Sequence, residues 1–123
     1  MRNTLYLIIS YILLGFFPAA AQGLINVKHY SVKDGMSQNT VQSILQDEKG
    51  YLWMATWNGL EKFDGYTFKN YKSYPTDRVK LQYNRLVNLV LAGNEMLVCQ
   101  SYDRRIYLFD TRKECFEDVF TYH

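Results

Sequence analysis

Two short pairings of an aromatic ring with a hydrogen-bonding group stand 45 residues apart, Trp57-Asn58 and Tyr102-Asp103. Flat rings stack on the apolar faces of sugars, and amides and carboxylates bond sugar hydroxyls, so these four residues form a candidate carbohydrate site. The same residues also suit turns: Asn58-Gly59 is a hairpin dipeptide, and Trp57 can pack between sheets. Other chemistry is sparse. The chain contains no GxxxxGK[ST], HExxH, GxSxG or CxxC pattern, and His29 and His123 are its two imidazoles. His29 lies on an alternating run and reads as a structural or surface residue. Twelve carboxylates invite a glycosidase pair. Most of them, including Asp47, Glu48, Asp64, Asp103, Asp110 and Glu114, fall in turn segments where short acidic side chains cap the backbone. No catalytic residue, metal site or cofactor is expected.

Charge and composition narrow the partners. Fourteen Lys plus Arg against twelve Asp plus Glu leave a formal charge of +2, with no basic block of the kind nucleic acid requires. Hydrophobic residues make up 48% and aromatics 16%, which suits an ordered, strand-rich domain. At the amino terminus, Arg2, the apolar run Leu5 to Phe17 and the small residues Ala19-Ala20-Ala21 follow the three-part export pattern, with cleavage expected between Ala21 and Gln22. That run is too short for a membrane span, since at 1.5 Å per residue it covers about 20 Å of a roughly 30 Å core. An exported protein is expected. Export admits a disulfide, but if Cys99 and Cys115 lie on strands flanking a third, they stand nearly 10 Å apart, beyond the roughly 7 Å a bridge tolerates. Two free, largely buried thiols are predicted.

The elements that would position these residues are short β-rich runs broken by turn residues. A first group runs Val41 to Gln46, Tyr51 to Trp57, Leu60 to Phe63 and Tyr66 to Tyr71. Asn58-Gly59 and Asp64-Gly65 predict two-residue hairpins with positive φ. A second group, Leu86 to Leu91, Glu95 to Ser101, Arg105 to Asp110 and Cys115 to Phe120, has the same grammar with poorer turn chemistry. Matching positions recur 45 or 46 residues on, as Val41 to Val87 and Phe63-Asp64 to Phe109-Asp110. Four strands per unit at this period predict propeller blades. Tyr51 to Trp57 is apolar on both faces, so both faces must be covered.

The expected architecture is all-β: a partial β-propeller made of a ring-closing strand and two four-stranded antiparallel blades after a signal peptide. Its divisions are residues 1–21 for the signal, 22–40 for the leading strand and loop, 41–73 for blade one, 74–85 for a crossover and 86–123 for blade two. The leading strand, Ile25 to Val32, would complete a final blade. Ser37-Gln38-Asn39 either faces the ring's axial opening or serves as a connector.

The run from His29 to Val41 (HYSVKDGMSQNTV), with Ile44-Leu45-Gln46-Asp47, Gly50 to Leu60 (GYLWMATWNGL) and Lys62 to Phe68 (KFDGYTF), resembles the opening of the two-component regulator propeller family. The likeness is dense from Asn26 to about Ser73 and loose over the second blade. It implies the periplasmic sensor of a hybrid two-component system in Bacteroidetes, one that detects glycan fragments and signals through a membrane histidine kinase. An oligosaccharide ligand and the remaining blades of the same protein would be its partners. The kinase, receiver and DNA-binding parts of that family have no counterpart in this sequence, which reads as an amino-terminal piece without catalysis. A secreted propeller enzyme such as a polysaccharide lyase is the alternative.

Overall fold

The structure, a computed structural model, describes residues 1–14, 23–93, 95–117 and 119. Helix α1, Arg2–Leu14, spans 13 residues at the amino terminus. Among the described residues no helix is long and apolar enough to cross a membrane. The expected cleavage junction, Ala21–Gln22, lies outside the described residues.

Among the described residues eight strands form two four-stranded meanders. Blade one holds β1 (Val41–Gln46), β2 (Leu52–Thr56), β3 (Gly59–Phe63) and β4 (Phe68–Tyr71). Blade two holds β5 (Leu86–Leu91), β6 (Met96–Ser101), β7 (Ile106–Asp110) and β8 (Cys115–Glu117). All pairs are antiparallel, and both blades carry a register shift near the start of their first strand, between Val41 and Ser43 and between Leu86 and Asn88. The repeat therefore extends to an irregularity of the ladder.

Side-chain alternation along each strand assigns the faces. Trp53, Ala55 and Leu60 of blade one meet Leu86, Leu89, Leu97, Cys99, Tyr107 and Phe109 of blade two in one buried cluster, joined by Leu81 of the crossover. Met54 and Phe63 point the other way, where Met36 covers them and Tyr30 packs against the rings of Phe63 and Phe68. The far face of blade one is thus covered over β2 and β3, while Ile44 of β1 stays 58% exposed. The far face of blade two is not covered, with Val90 54% and Ile106 46% exposed.

The leading segment departs from expectation. Ile25 to Val32 is not a strand; residues 23–31 carry no regular structure, and Val32–Asp34 form a 3₁₀ turn capped by Ser31. A strand needs a partner ladder, and the two blades present here pair only within themselves. Ser37, Gln38 and Asn39 act as connectors: the Asn39 Oδ1 accepts from the Val32 N–H at 2.9 Å, and the Gln38 Oε1 accepts from the Asn39 N–H at 2.8 Å.

The turns also differ from the predicted type. Thr56 pairs with Gly59, so the loop of the second hairpin is Trp57-Asn58 and the left-handed residue is Gly59, at φ 99°. Asn58 has no positive φ. The third hairpin is longer, because Phe63 pairs with Phe68 and the Asp64 carboxylate accepts the N–H groups of Tyr66 and Thr67. In blade two the positions equivalent to Gly50 and Gly59 are Glu95 (φ 61°) and Arg104 (φ 65°), which is the physical content of the poorer turn chemistry. A left-handed L-residue costs about 1–2 kcal/mol.

The thiols are free, as predicted, but unlike each other. Strand β7 separates Cys99 on β6 from Cys115 on β8. Cys99 is buried, which pushes its thiol up to about 12, whereas Cys115 is exposed at the start of the outermost strand, correcting the expectation that both are buried.

Two outcomes follow. Gly59→Ala should destabilise the chain by several kcal/mol, because a Cβ there would overlap the Tyr71 carbonyl oxygen, whereas Arg104→Gly should stabilise it by about 1 kcal/mol. Denaturant midpoints of both variants check this, and an Arg104→Gly midpoint below the parent's would refute the strain. In native buffer a thiol alkylating reagent should modify Cys115 and spare Cys99 until denaturant is added; equal labelling of both by intact mass would contradict the burial.

Candidate functional site

The crossover between the blades builds the site. Its start is pinned by Ser73 and Asn84: the Ser73 N–H donates to the Asn84 Oδ1 at 2.9 Å, and the Leu81 N–H donates to the Ser73 Oγ at 2.8 Å. Its end is gripped by one turn from each blade. The Asn84 carbonyl accepts from the Gly59 N–H at 2.7 Å, and the Arg85 carbonyl accepts from the Tyr102 N–H at 2.9 Å. Two equivalent hairpins are therefore tied to consecutive residues of one strand entry.

This arrangement brings three of the four sequence-predicted residues together. Trp57, Tyr102 and Asp103 line a cleft of about 760 Å³ with Gln82, Tyr83, Asn84 and Arg85. Trp57 is 44% and Tyr102 65% exposed, so much of each ring is open to solvent. Arg85, which sequence reasoning missed, lies with its guanidinium carbon 4.4 Å from the Trp57 ring centroid and 5.2 Å from that of Tyr102, both within cation–π range. Asp103 accepts from the Ser101 hydroxyl and pairs with Arg105 at 3.1 Å. Asn58 stands apart from the cleft: its N–H donates to the Thr56 Oγ1 at 3.1 Å, its carbonyl accepts from Asn70, and its side chain faces Lys72 at 3.5 Å. Asn58 is a turn residue.

Two further polar groups were not singled out from sequence. Glu61 is fully buried, and its carboxylate accepts from the Ser37 N–H at 3.2 Å, the Ser37 hydroxyl at 2.5 Å and the Asn70 amide at 3.4 Å. It binds the leading loop to blade one. The second group is Glu114, in the turn before β8, which ties blade two to β3 and β4 of blade one by accepting from Lys62 at 3.1 Å and from Lys69. Lys62 lies over the Tyr51 ring, 4.2 Å from its centroid. The Lys69 ammonium, with the Tyr71 phenol and Lys62, holds the Glu114 carboxyl down at about 2, while burial and that carboxylate push the Tyr71 phenol upward. His29 is exposed on the leading segment. Among the described residues no three His, Cys, Asp or Glu side chains cluster as a metal site.

Two stacked four-stranded meanders with matching register define a segment of a β-propeller. Residues 35–58, from the leading loop through β2 to the Trp57-Asn58 turn, match the model of the two component regulator propeller. A stretch of 54 residues is 46% identical to Histidine kinase P4 of Formosa agariphila, covering 44% of this chain and 4% of that protein. The fold is similar to the extracellular domain of the hybrid two component system BT3049 from B. thetaiotaomicron, with a TM-score of 0.64 and 28% identity over 73% of this chain and 13% of that domain. The chain therefore spans a small part of either relative. Over these stretches it is similar to the two-component regulator propellers.

The Glu114 contacts set a pH dependence. A carboxyl whose folded pKa lies below its unfolded value of about 4.5 stabilises the fold above that value and loses the contribution as pH falls toward 2. Glu114→Gln should lower stability by about 1 kcal/mol at pH 6, after allowing for solvent screening, and the difference from the parent should shrink between pH 5 and 2. Urea midpoints across this range test it, and a difference that stays constant with pH would show that charge is not involved.

Proposed function

We propose that this chain is the leading part of an exported sensor propeller that binds an oligosaccharide in the periplasm and reports, in the intact protein, to a membrane histidine kinase. Support comes from the likeness to the extracellular domain of a hybrid two component system and to a histidine kinase. The carrying observation is the cleft itself, where equivalent turns of adjacent blades supply Trp57 and Tyr102 side by side. Exposed aromatic rings beside fixed polar groups suit sugar recognition. Further blades of the same protein would cover the open face around Val90 and Ile106, and the apolar residues Leu24, Ile25 and Val27, all exposed, would add a strand to the last of them. Binding without turnover is the role assigned to this segment.

Titration of the chain against a panel of defined oligosaccharides tests the reading. Trp57→Ala and Tyr102→Ala should each weaken the best ligand about tenfold, and His29→Ala should leave it unchanged. If the folded chain binds no member of the panel, or if both substitutions are silent, the cleft is not a sugar site.

A further inference from the structure

We infer that the Trp57–Tyr102 cleft selects acidic oligosaccharides, with Arg85 as the residue that receives a sugar carboxylate; this rests on the carbohydrate reading above. Three observations carry it. First, the Arg85 guanidinium makes no ion pair or side-chain hydrogen bond with any described residue, although it is only half-buried in a cleft that contains Asp103. Asp103 is already committed to Arg105 and Ser101. Second, Arg85 is held in place. Its backbone is tied to the Tyr102 turn, and two aromatic faces fix its planar head, which lowers the entropy cost of presenting its donors. A guanidinium so placed offers paired N–H donors that match a carboxylate. Third, the surroundings carry the same sign. The neighbouring groove along the crossover is lined by Arg78 and Lys80, which make no ion pair with any described residue, and by Arg105, which is paired with Asp103; its one carboxylate, Glu117, is paired with Lys113 at 2.9 Å. A neutral sugar would leave this excess uncompensated, whereas a uronate chain running from the cleft into the groove would meet it.

Tyr83, exposed on the cleft wall, adds to the ring surface left open by Trp57 and Tyr102. Arg85 therefore supplies charge selectivity, and the aromatics supply affinity for the sugar ring.

The test compares a uronate trisaccharide with its carboxyl-reduced, neutral counterpart on the whole chain, read by tryptophan emission. Trp57 lies in the cleft, and fully buried Trp53 reports that the fold is intact. The acidic sugar should bind at least about tenfold tighter, a preference that fades as salt rises. Arg85→Gln should bring the ratio of acidic to neutral affinity to about one. Should Arg85→Gln fail to fold, Arg85→Lys keeps the charge without the fork and should give an intermediate ratio. Equal binding of both sugars by the parent chain overturns the acidic selectivity and leaves the carbohydrate reading standing. A preference that survives Arg85→Gln overturns the assignment of Arg85, and binding of neither sugar by the folded chain overturns both.

Discussion

The structure depends on covering a sheet that is apolar on both sides. Trp53 sits at the centre of that problem: fully buried, its ring centroid 5.5 Å from that of Phe109 in the next blade and 5.9 Å from that of Tyr71 in its own. Its indole N–H donates to the Asp47 carboxylate at 2.7 Å, so the one polar atom of the side chain is satisfied at the blade's edge. Removing a ring of this size from water contributes about 5 kcal/mol by area, but only while the second blade stays against the first. Leu97, Cys99 and Phe109 provide that cover. On the opposite face Met36 and Tyr30 do the same work with an irregular segment instead of a sheet.

Once the two blades are fixed against each other, their equivalent turns must come close, and the crossover has to pass between them. The backbone bonds from Gly59 to Asn84 and from Tyr102 to Arg85 record that passage. The cleft is thus a by-product of blade stacking. Its aromatic rings come from the repeat, and its cation comes from the connection, which explains why a feature with internal symmetry contains an asymmetric charge.

Much of this was legible in the residues. Eight strands, their grouping into fours and the correspondence of Trp57 with Tyr102 follow from turn spacing and from a strand that does not alternate. What escaped has a common cause in register and partnership. Arg85 lies in a stretch without periodicity, so nothing local marks it as the residue between two rings. Glu61 sits in Leu60-Glu61-Lys62-Phe63, where a polar pair reads as solvent-facing; its burial depends on Ser37, 24 positions earlier. The hairpin type turned on whether Thr56 or Trp57 closed the ladder, a one-residue choice that leaves Gly59 alone, and not Asn58 with it, in the left-handed region. Ile25 to Val32 alternates well enough for a strand, yet alternation cannot supply the neighbour that a ladder requires.

Among the described residues every strand is paired only with the one before or after it in the chain. Nothing formed late has to be threaded behind something formed early. Each unit could therefore set as it forms, the previous one serving as its template. The same linear bookkeeping lets lineages lengthen or shorten such a ring by whole modules, because inserting one disturbs two neighbours and leaves the rest of the circumference as it was.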